Sequence, residues 1–259
     1  MKKLKGQSFN IKNHIIGKVT FKNNLFQSDR IVVTNKVPKI LIGINGLIMP
    51  DMPQKMPQIP IFVTGSNNIN EGDILNITQD NNCNVIWDTD AKHNALFITD
   101  TCNSKCIMCP QPMPEKPNHY LENNLKIVKL LDKNKVESIG ITGGEPTLYI
   151  NELSKLLTEI KKKFGHIPIE ILTNGRLLER KTNLDKLLQS NNEDITYGIP
   201  LYSNVEEEHD YIVEVNGAFN QTLRGLYNLA KAKQKVEIRI VVMKQNYKKT
   251  LRHRRFHIP

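Results

Sequence analysis

The pattern of apolar and polar positions changes character near residue 94. From there on, continuous apolar runs predict strands at Ala95–Thr99, Ser138–Thr142, Ile167–Leu172, Ile195–Leu201 and Val236–Val242. Between them, helices are predicted at Leu121–Lys133, Asn151–Lys163, Asn183–Gln189 and Phe219–Lys233. Leu121, Leu125, Val128 and Leu131 recur at three- and four-residue steps, as do Leu153, Leu156, Leu157 and Ile160, each set forming one apolar stripe. Apolar strands alternating with amphipathic helices indicate parallel βαβ units. With no dinucleotide glycine fingerprint, they favour an α/β fold built as part of a (β/α) barrel over a Rossmann sheet. Barrel chemistry sits on the loops that follow the strands.

Residues 1–93 read differently. Short β-prone runs at Arg30–Thr34, Ile40–Ile44, Ile59–Thr64, Asp73–Ile77 and Asn84–Trp87 are separated by Asn, Gly, Pro and Asp clusters. The Pro- and Met-rich stretch Met49–Pro60 cannot be a helix interior and is expected to be a loop or an extended crossing. The domain expectation is therefore a small, mainly β N-terminal module over 1–93, a partial barrel over 94–245, and a basic tail over 246–259.

Composition narrows the class. The chain has 259 residues, 39% hydrophobic and 24% charged, as expected of a soluble globular protein. No apolar run approaches the roughly 18–20 residues of a membrane span; the longest, Ile40–Met49, contains Asn45. No export signal is evident, so the expected compartment is the cytosol. The net charge of +10 suggests nucleic acid until its distribution is considered. Residues 231–259 carry ten Lys/Arg against Glu237, a net +9, which leaves +1 for the remainder. Basicity belongs to one end, and nucleic acid is not the expected partner.

Cys102, Cys106 and Cys109 form a CxxxCxxC motif directly after the first barrel strand. Thiolates at this spacing suit an iron–sulfur cluster or zinc. Three of them leave one iron of a [4Fe–4S] cube free for a ligand. Structural zinc, with Cys83 or His119 as fourth ligand, is the alternative, although the two close pairs usual for zinc are missing. Gly143-Gly144-Glu145-Pro146-Thr147 directly follows the second strand. Its glycines allow close backbone approach, and Glu145 supplies a carboxylate. Both motifs fall on the same barrel face.

Together they resemble the radical S-adenosylmethionine (SAM) superfamily, over roughly residues 94–245. Thr101–Pro112, Thr142–Leu148 and Tyr197–Ser203 are most similar to the radical maturases of the His-Xaa-Ser peptide system. The resemblance implies a partial (β/α)6 barrel, a [4Fe–4S] cluster on Cys102, Cys106 and Cys109, and SAM chelating the fourth iron. It implies that Gly143, Gly144 and Glu145 meet the methionine amino group, and that Ser203 contacts the ribose or carboxylate. Asn174, in the turn after strand three, would face the cofactor, and strand five around Ile240–Val242 would pack near adenine. Met108 would fill the place beside adenine that is commonly aromatic. The implied reaction is reductive cleavage of the sulfonium to a 5′-deoxyadenosyl radical that takes hydrogen from the substrate. The implied partners are a His-Xaa-Ser precursor peptide and an electron donor; RNA modification is the second enzymatic reading, and a non-catalytic zinc or iron–sulfur binding module is the alternative if the barrel is truncated. No cysteine follows Cys109, which leaves no thiolates in this chain for a C-terminal auxiliary cluster.

Other residues invite plainer readings. Cys83 and Trp87 are expected to pack in a core, and Asp100 and Thr101 to cap the cysteine loop. His209, beside Glu206–Glu208, is expected to be solvated, and His93 and His166 to be lone loop histidines. Strand five is expected to end near Val242. After it come Lys244, Lys248, Lys249, Arg252, Arg254 and Arg255 with no acid, so the chain is expected to be shortened relative to a working enzyme.

Overall fold

A computed structural model describes residues 2–22, 28–66, 68–111 and 113–247. The expected basic tail lies mostly outside the described residues. The chain divides into two compact units: Met1–Asn94 with Lys126–Asp132, and Ala95–Leu125 with Lys133–Pro259.

The first unit is a mixed sheet of β1 (Lys3–Lys5), β2 (Gln7–Phe9), β3 (Ile15–Thr20), β4 (Arg30–Val33), β5 (Ile44–Met49), β6 (Ile61–Val63), β7 (Ile74–Ile77) and β8 (Asn82–Trp87). Its order is β1-β8-β7-β3-β4-β5-β6-β2. β1 and β2 occupy opposite ends of that order, yet only Gly6 separates them in the chain. The sheet therefore closes on itself and leaves no long edge to be covered. A Cβ at Gly6 would stand 2.3 Å from the Val63 carbonyl oxygen, so the corner needs glycine.

Two apolar clusters flank this sheet. Ile31, Ile48 and Phe62 join one, while Val32, Leu47, Met49 and Ile61 join the other. Successive strand residues point to opposite faces, so burial of both faces gives continuous apolar runs rather than alternation. Cys83 is fully buried in the first cluster, and Trp87 is buried as expected.

The strands differ from expectation in two places. β1, β2 and β3 were not expected at all. The run expected at Ile40–Ile44 is exposed at Ile40 and Ile42, and the chain turns at Gly43 (φ 72°) before β5 begins at Ile44. Asn45 is accommodated inside β5 because its amide donates to Asp29.

The second unit contains, among the described residues, a five-stranded parallel sheet in sequential order: β9 (Ala95–Phe97), β10 (Ile139–Thr142), β11 (Ile169–Leu172), β12 (Ile195–Pro200) and β13 (Lys235–Arg239). Helices α1 (Leu121–Leu130), α2 (Ile150–Phe164), α3 (Lys181–Leu188), α4 (Glu206–Val213) and α5 (Ala218–Lys231) lie between the strands in the chain, and the second half of α1 is counted with the first unit. Unreversed order in a parallel sheet is the winding of a barrel, not of a doubly wound sheet. The expected α/β fold and partial barrel are found.

One face of this sheet is sealed. Ile139, Ile141, Ile169, Ile171, Ile195, Tyr197 and Ile199 are buried, and α2 turns Leu153, Leu156, Leu157 and Ile160 inward. The alternate positions Thr142, Glu170, Leu172 and Thr196 are only half-buried. α5 comes so close to the turn after β11 that a Cβ at Gly225 would meet the Gly175 carbonyl oxygen at 2.2 Å. α4 was not expected from the sequence. β13 ends at Arg239, short of the expected Val242, and Val241 and Val242 are exposed.

Candidate cofactor site

Two loops at the ends of neighbouring strands are stitched into one piece. The residues after β9 run through Thr99, Asp100 and Thr101 into the cysteines, and the residues after β10 are Gly143, Gly144 and Glu145. Gly144 N–H donates to the Thr99 carbonyl (2.7 Å), and Glu145 N–H donates to the Thr101 carbonyl (2.8 Å). Side chains would prevent this approach, since a Cβ at Gly144 would lie 2.2 Å from the Thr101 oxygen and one at Gly143 2.6 Å from the Thr99 oxygen. The double glycine is needed first for packing loop against loop.

Glu145 is 1% exposed. Its Oε1 accepts from Thr147 N–H (2.9 Å), the Thr147 hydroxyl (2.5 Å) and the Thr173 hydroxyl (2.6 Å), and its Oε2 accepts from Asn174 N–H (2.7 Å). The first of these caps the short 3-10 turn Pro146–Tyr149. A carboxylate has about four lone-pair sites, so most of its accepting capacity is already used. Asn174 continues the chain of contacts: its Nδ2 donates to Asn103 Oδ1 (2.6 Å), inside the cysteine loop. Glu145 and Asn174 thus tie the ends of three successive strands together.

The cysteine loop is held from its other side by α4. Lys105 N–H donates to Val213 O (3.1 Å) and Ile107 N–H to Ile212 O (3.0 Å). Cys106 and Met108 pack against Tyr202, Ile212, Val213 and Ala218. Ser203 is fully buried; its hydroxyl donates to Glu208 (2.8 Å) and accepts from Val205 N–H (3.1 Å), closing the start of α4. Three glutamates in the first turn of α4 favour its N-terminus electrostatically.

His209 is the clearest departure from expectation. Read as solvated, it is 2% exposed, between Tyr202 and Phe219 at ring distances of 5.7 Å, and its Nδ1 accepts from Tyr202 N–H (3.3 Å). Burial is the main cause that drives its pKa down to about 4; Asp210 opposes the shift and Arg176 adds to it. His166 also differs, with Glu193 3.6 Å from its Nδ1. Tyr120 donates to Asp100 (2.8 Å) beside the cysteine loop.

Arg176 was not singled out by sequence. It follows Gly175, whose left-handed conformation (φ 73°) makes the turn after β11. Its Nη1 donates to Asn103 O (2.6 Å) and Ser104 Oγ (2.9 Å), and its Nε donates to Gln221 Oε1 (2.7 Å).

The cysteines differ sharply in environment. Desolvation alone pushes the Cys83 thiol up to about 12. Cys106 is pushed up to about 11, mainly by burial and then by Cys102 and Cys109, while Arg176 favours its thiolate. Cys102 is also raised by burial and by nearby Glu145 and Cys109, and Cys109 is exposed. Metal binding here must release protons. The three loop thiols sense one another, yet among the described residues no three His, Cys, Asp or Glu converge on a single metal position. One zinc would draw its sulfurs to about 2.3 Å of a point. A cube takes one thiolate per iron, so three soft thiolates on one loop match it and leave one iron open, whereas the two close pairs usual for zinc are missing. Cys83 lies in the apolar core of the first unit, and His119 packs at a tilt against Tyr149, with ring centres 5.0 Å apart.

A three-thiol loop and a glycine–glutamate loop on adjacent parallel strands define an iron–sulfur fold of the partial-barrel type. The chain belongs to the radical SAM superfamily, whose family model matches residues 96–257. Members of this superfamily use a [4Fe–4S] cluster and SAM.

A Methanocaldococcus jannaschii protein described as a glycyl-radical enzyme activating enzyme is 27% identical over 124 residues, covering 45% of this chain and 33% of that protein. A Saccharolobus solfataricus protein described as a GTP 3′,8-cyclase is 27% identical over 161 residues, covering 61% of this chain and 48% of its own length. The chain thus spans a third to about half of these curated relatives. The solved structure of Streptococcus suis SuiB bound to S-adenosylmethionine shares the fold, with a TM-score of 0.51 at 22% identity over 61% of this chain and 36% of that one.

Proposed function

We propose that the chain is a cytosolic radical SAM enzyme that modifies a genetically encoded peptide, its partner being a His-Xaa-Ser precursor. The observation that carries the enzymatic part is the stitching of the cysteine loop to the Gly143-Gly144-Glu145 loop by paired backbone bonds. The peptide part rests on the similarity of Thr101–Pro112, Thr142–Leu148 and Tyr197–Ser203 to the His-Xaa-Ser maturases.

Cys102, Cys106 and Cys109 would hold three irons, leaving the fourth for the amino and carboxylate groups of SAM. When bound, the cluster supplies one electron to the sulfonium. The residues of the chain position and shield that chemistry. Gly143 and Gly144 would present backbone to the methionine amino group. Glu145, held by Thr147, Thr173 and Asn174, ties its loop to the end of the third strand and would add negative charge near the ammonium. Met108, packed with Tyr202 and Ile212, would offer a polarizable surface to the adenine. Asn174 would keep the third strand end in register with the cysteine loop, and Ser203 would act through the start of α4.

Anaerobic reconstitution tests the reading in two stages. A brown protein with about four irons that converts SAM to 5′-deoxyadenosine supports the enzyme. A colourless protein with stoichiometric zinc overturns it. Co-expression with a His-Xaa-Ser precursor should then give a mass change confined to the repeat. SAM cleavage coupled to RNA or GTP, with the peptide unchanged, would overturn the peptide assignment alone.

A further inference from the structure

The buried cation that grips the cysteine loop has only neutral partners. Arg176 is 9% exposed, and its three acceptors are a backbone carbonyl, a serine hydroxyl and a glutamine carbonyl. Among the described residues no carboxylate pairs with it. Two more exposed arginines of the same unit are paired: Arg224 with Glu179 at 2.9 Å, and Arg239 with Glu170 and Glu237. Among the described residues, Arg176 is thus a buried charge held without an anion.

Burying a charge is costly unless an opposite charge completes it. The group that would arrive beside Asn103 and Ser104 is a set of thiolates carrying an iron–sulfur core, which is anionic. Neutral acceptors orient the guanidinium without cancelling its charge. A carboxylate there would do the reverse and repel the cluster.

We propose that Arg176 is the counter-cation of the iron–sulfur cluster, positioning the Cys102–Cys106 segment and favouring the reduced cluster over the oxidised one. The inference rests on the cluster assignment above. The step it acts on is a one-electron transfer: a low-potential one-electron donor gives up one electron, and the core goes from 2+ to 1+. No proton needs to move, because arginine stays cationic. A fixed positive charge nearby stabilises the added negative charge and raises the reduction potential.

The test is an anaerobic redox titration of the reconstituted full chain followed by electron paramagnetic resonance, comparing wild type with Arg176→Gln, Arg176→Lys and Ser104→Ala. Arg176→Gln should load iron, have a more negative midpoint, and lose iron to a chelator about tenfold faster. Arg176→Lys should restore the midpoint, because it keeps the charge. Ser104→Ala removes a hydrogen bond without touching the charge and should leave the midpoint in place. If Arg176→Gln does not fold, Arg176→Met carries the same prediction, since apolar chains often replace buried ions without loss. A midpoint unchanged in the neutral variants overturns the proposal. So does an equal shift in Arg176→Lys or Ser104→Ala, which would assign the effect to loop geometry. Failure of the wild type to load any cluster would instead overturn the function proposed above.

Discussion

The two units treat cysteine in opposite ways, and the contrast separates structure from chemistry. Cys83 sits in a closed sheet with both faces buried, has no charged group acting on it, and is held as a thiol by desolvation alone. Cys102, Cys106 and Cys109 sit on a loop at the open end of a parallel sheet, partly accessible, with other thiols and Arg176 in range. The first unit buries Leu, Ile, Val and Phe on both sides of its strands. Both units also bury polar groups: Arg30 and Asp73 in the first, and in the second Glu145, Arg176, Ser203 and His209, which all lie in the segments that follow its strands β10, β11 and β12. Buried polar groups are costly, so a fold concentrates them where they position something.

The largest effect should come from exchanging the two kinds of cysteine. Cys106→Ala should abolish iron loading and SAM cleavage, measured by iron content and 5′-deoxyadenosine, because a methyl group cannot ligate iron. If Cys83→Ala bleaches the protein while Cys106→Ala does not, the contrast is reversed.

Glu145→Ala should rank next. It leaves four donors facing a void, and unfolding in urea should show a loss of roughly 3–5 kcal/mol. SAM affinity should fall about ten- to a hundredfold, with the brown colour kept. A variant of wild-type stability and affinity would show that the carboxylate does not brace the site.

His209 provides a pH test. Its folded pKa, about 4, lies below the ordinary 6.5, so the unfolded chain takes up the proton first as pH falls. Its contribution is complete above about pH 6.5 and is lost progressively down to about pH 4, roughly 2 kcal/mol being gone at pH 5. Asp210 and Arg176 are the charges that act on it, with opposing effects. His209→Gln should remove this share of the acid sensitivity, measured as unfolding free energy at pH 7.5 and pH 5. An unchanged pH slope would contradict the buried neutral imidazole.

The smallest effect belongs to Cys83→Ala. It should cost about 1 kcal/mol for a small buried cavity and leave iron content untouched.

The second unit was the more legible in the sequence, because its apolar period switches between continuous runs and helical stripes. The expected α2, Asn151–Lys163, is found at Ile150–Phe164, and the other matched elements agree within a few residues at each end. In the first unit, β1 and β2 are short, mostly polar and split by Gly6, so no period develops, although they close the sheet. α4 escaped notice because Glu206–Glu208 reads as a solvated stretch. Helical geometry nonetheless turns His209, Ile212 and Val213 inward. The inward set of His209, Ile212 and Val213 was the available signal. The cysteines, glycines, Glu145 and Asn174 could be named because they occur in compact motifs. Arg176 could not, since an arginine after a turn looks like any surface cation until its burial is known. Ser203 was placed after the correct strand, but its hydroxyl is engaged by Glu208, a contact that depends on α4.

The central claim is that the cysteine loop and the Gly143-Gly144-Glu145 loop form one site in which SAM binds the iron without a cysteine. The most direct measurement is electron paramagnetic resonance of the reduced, reconstituted chain with and without SAM. The account predicts a [4Fe–4S] signal whose shape changes when SAM is added in wild type, and changes only at much higher SAM concentration in Glu145→Ala. A reduced cluster whose spectrum is indifferent to SAM at any concentration would contradict it.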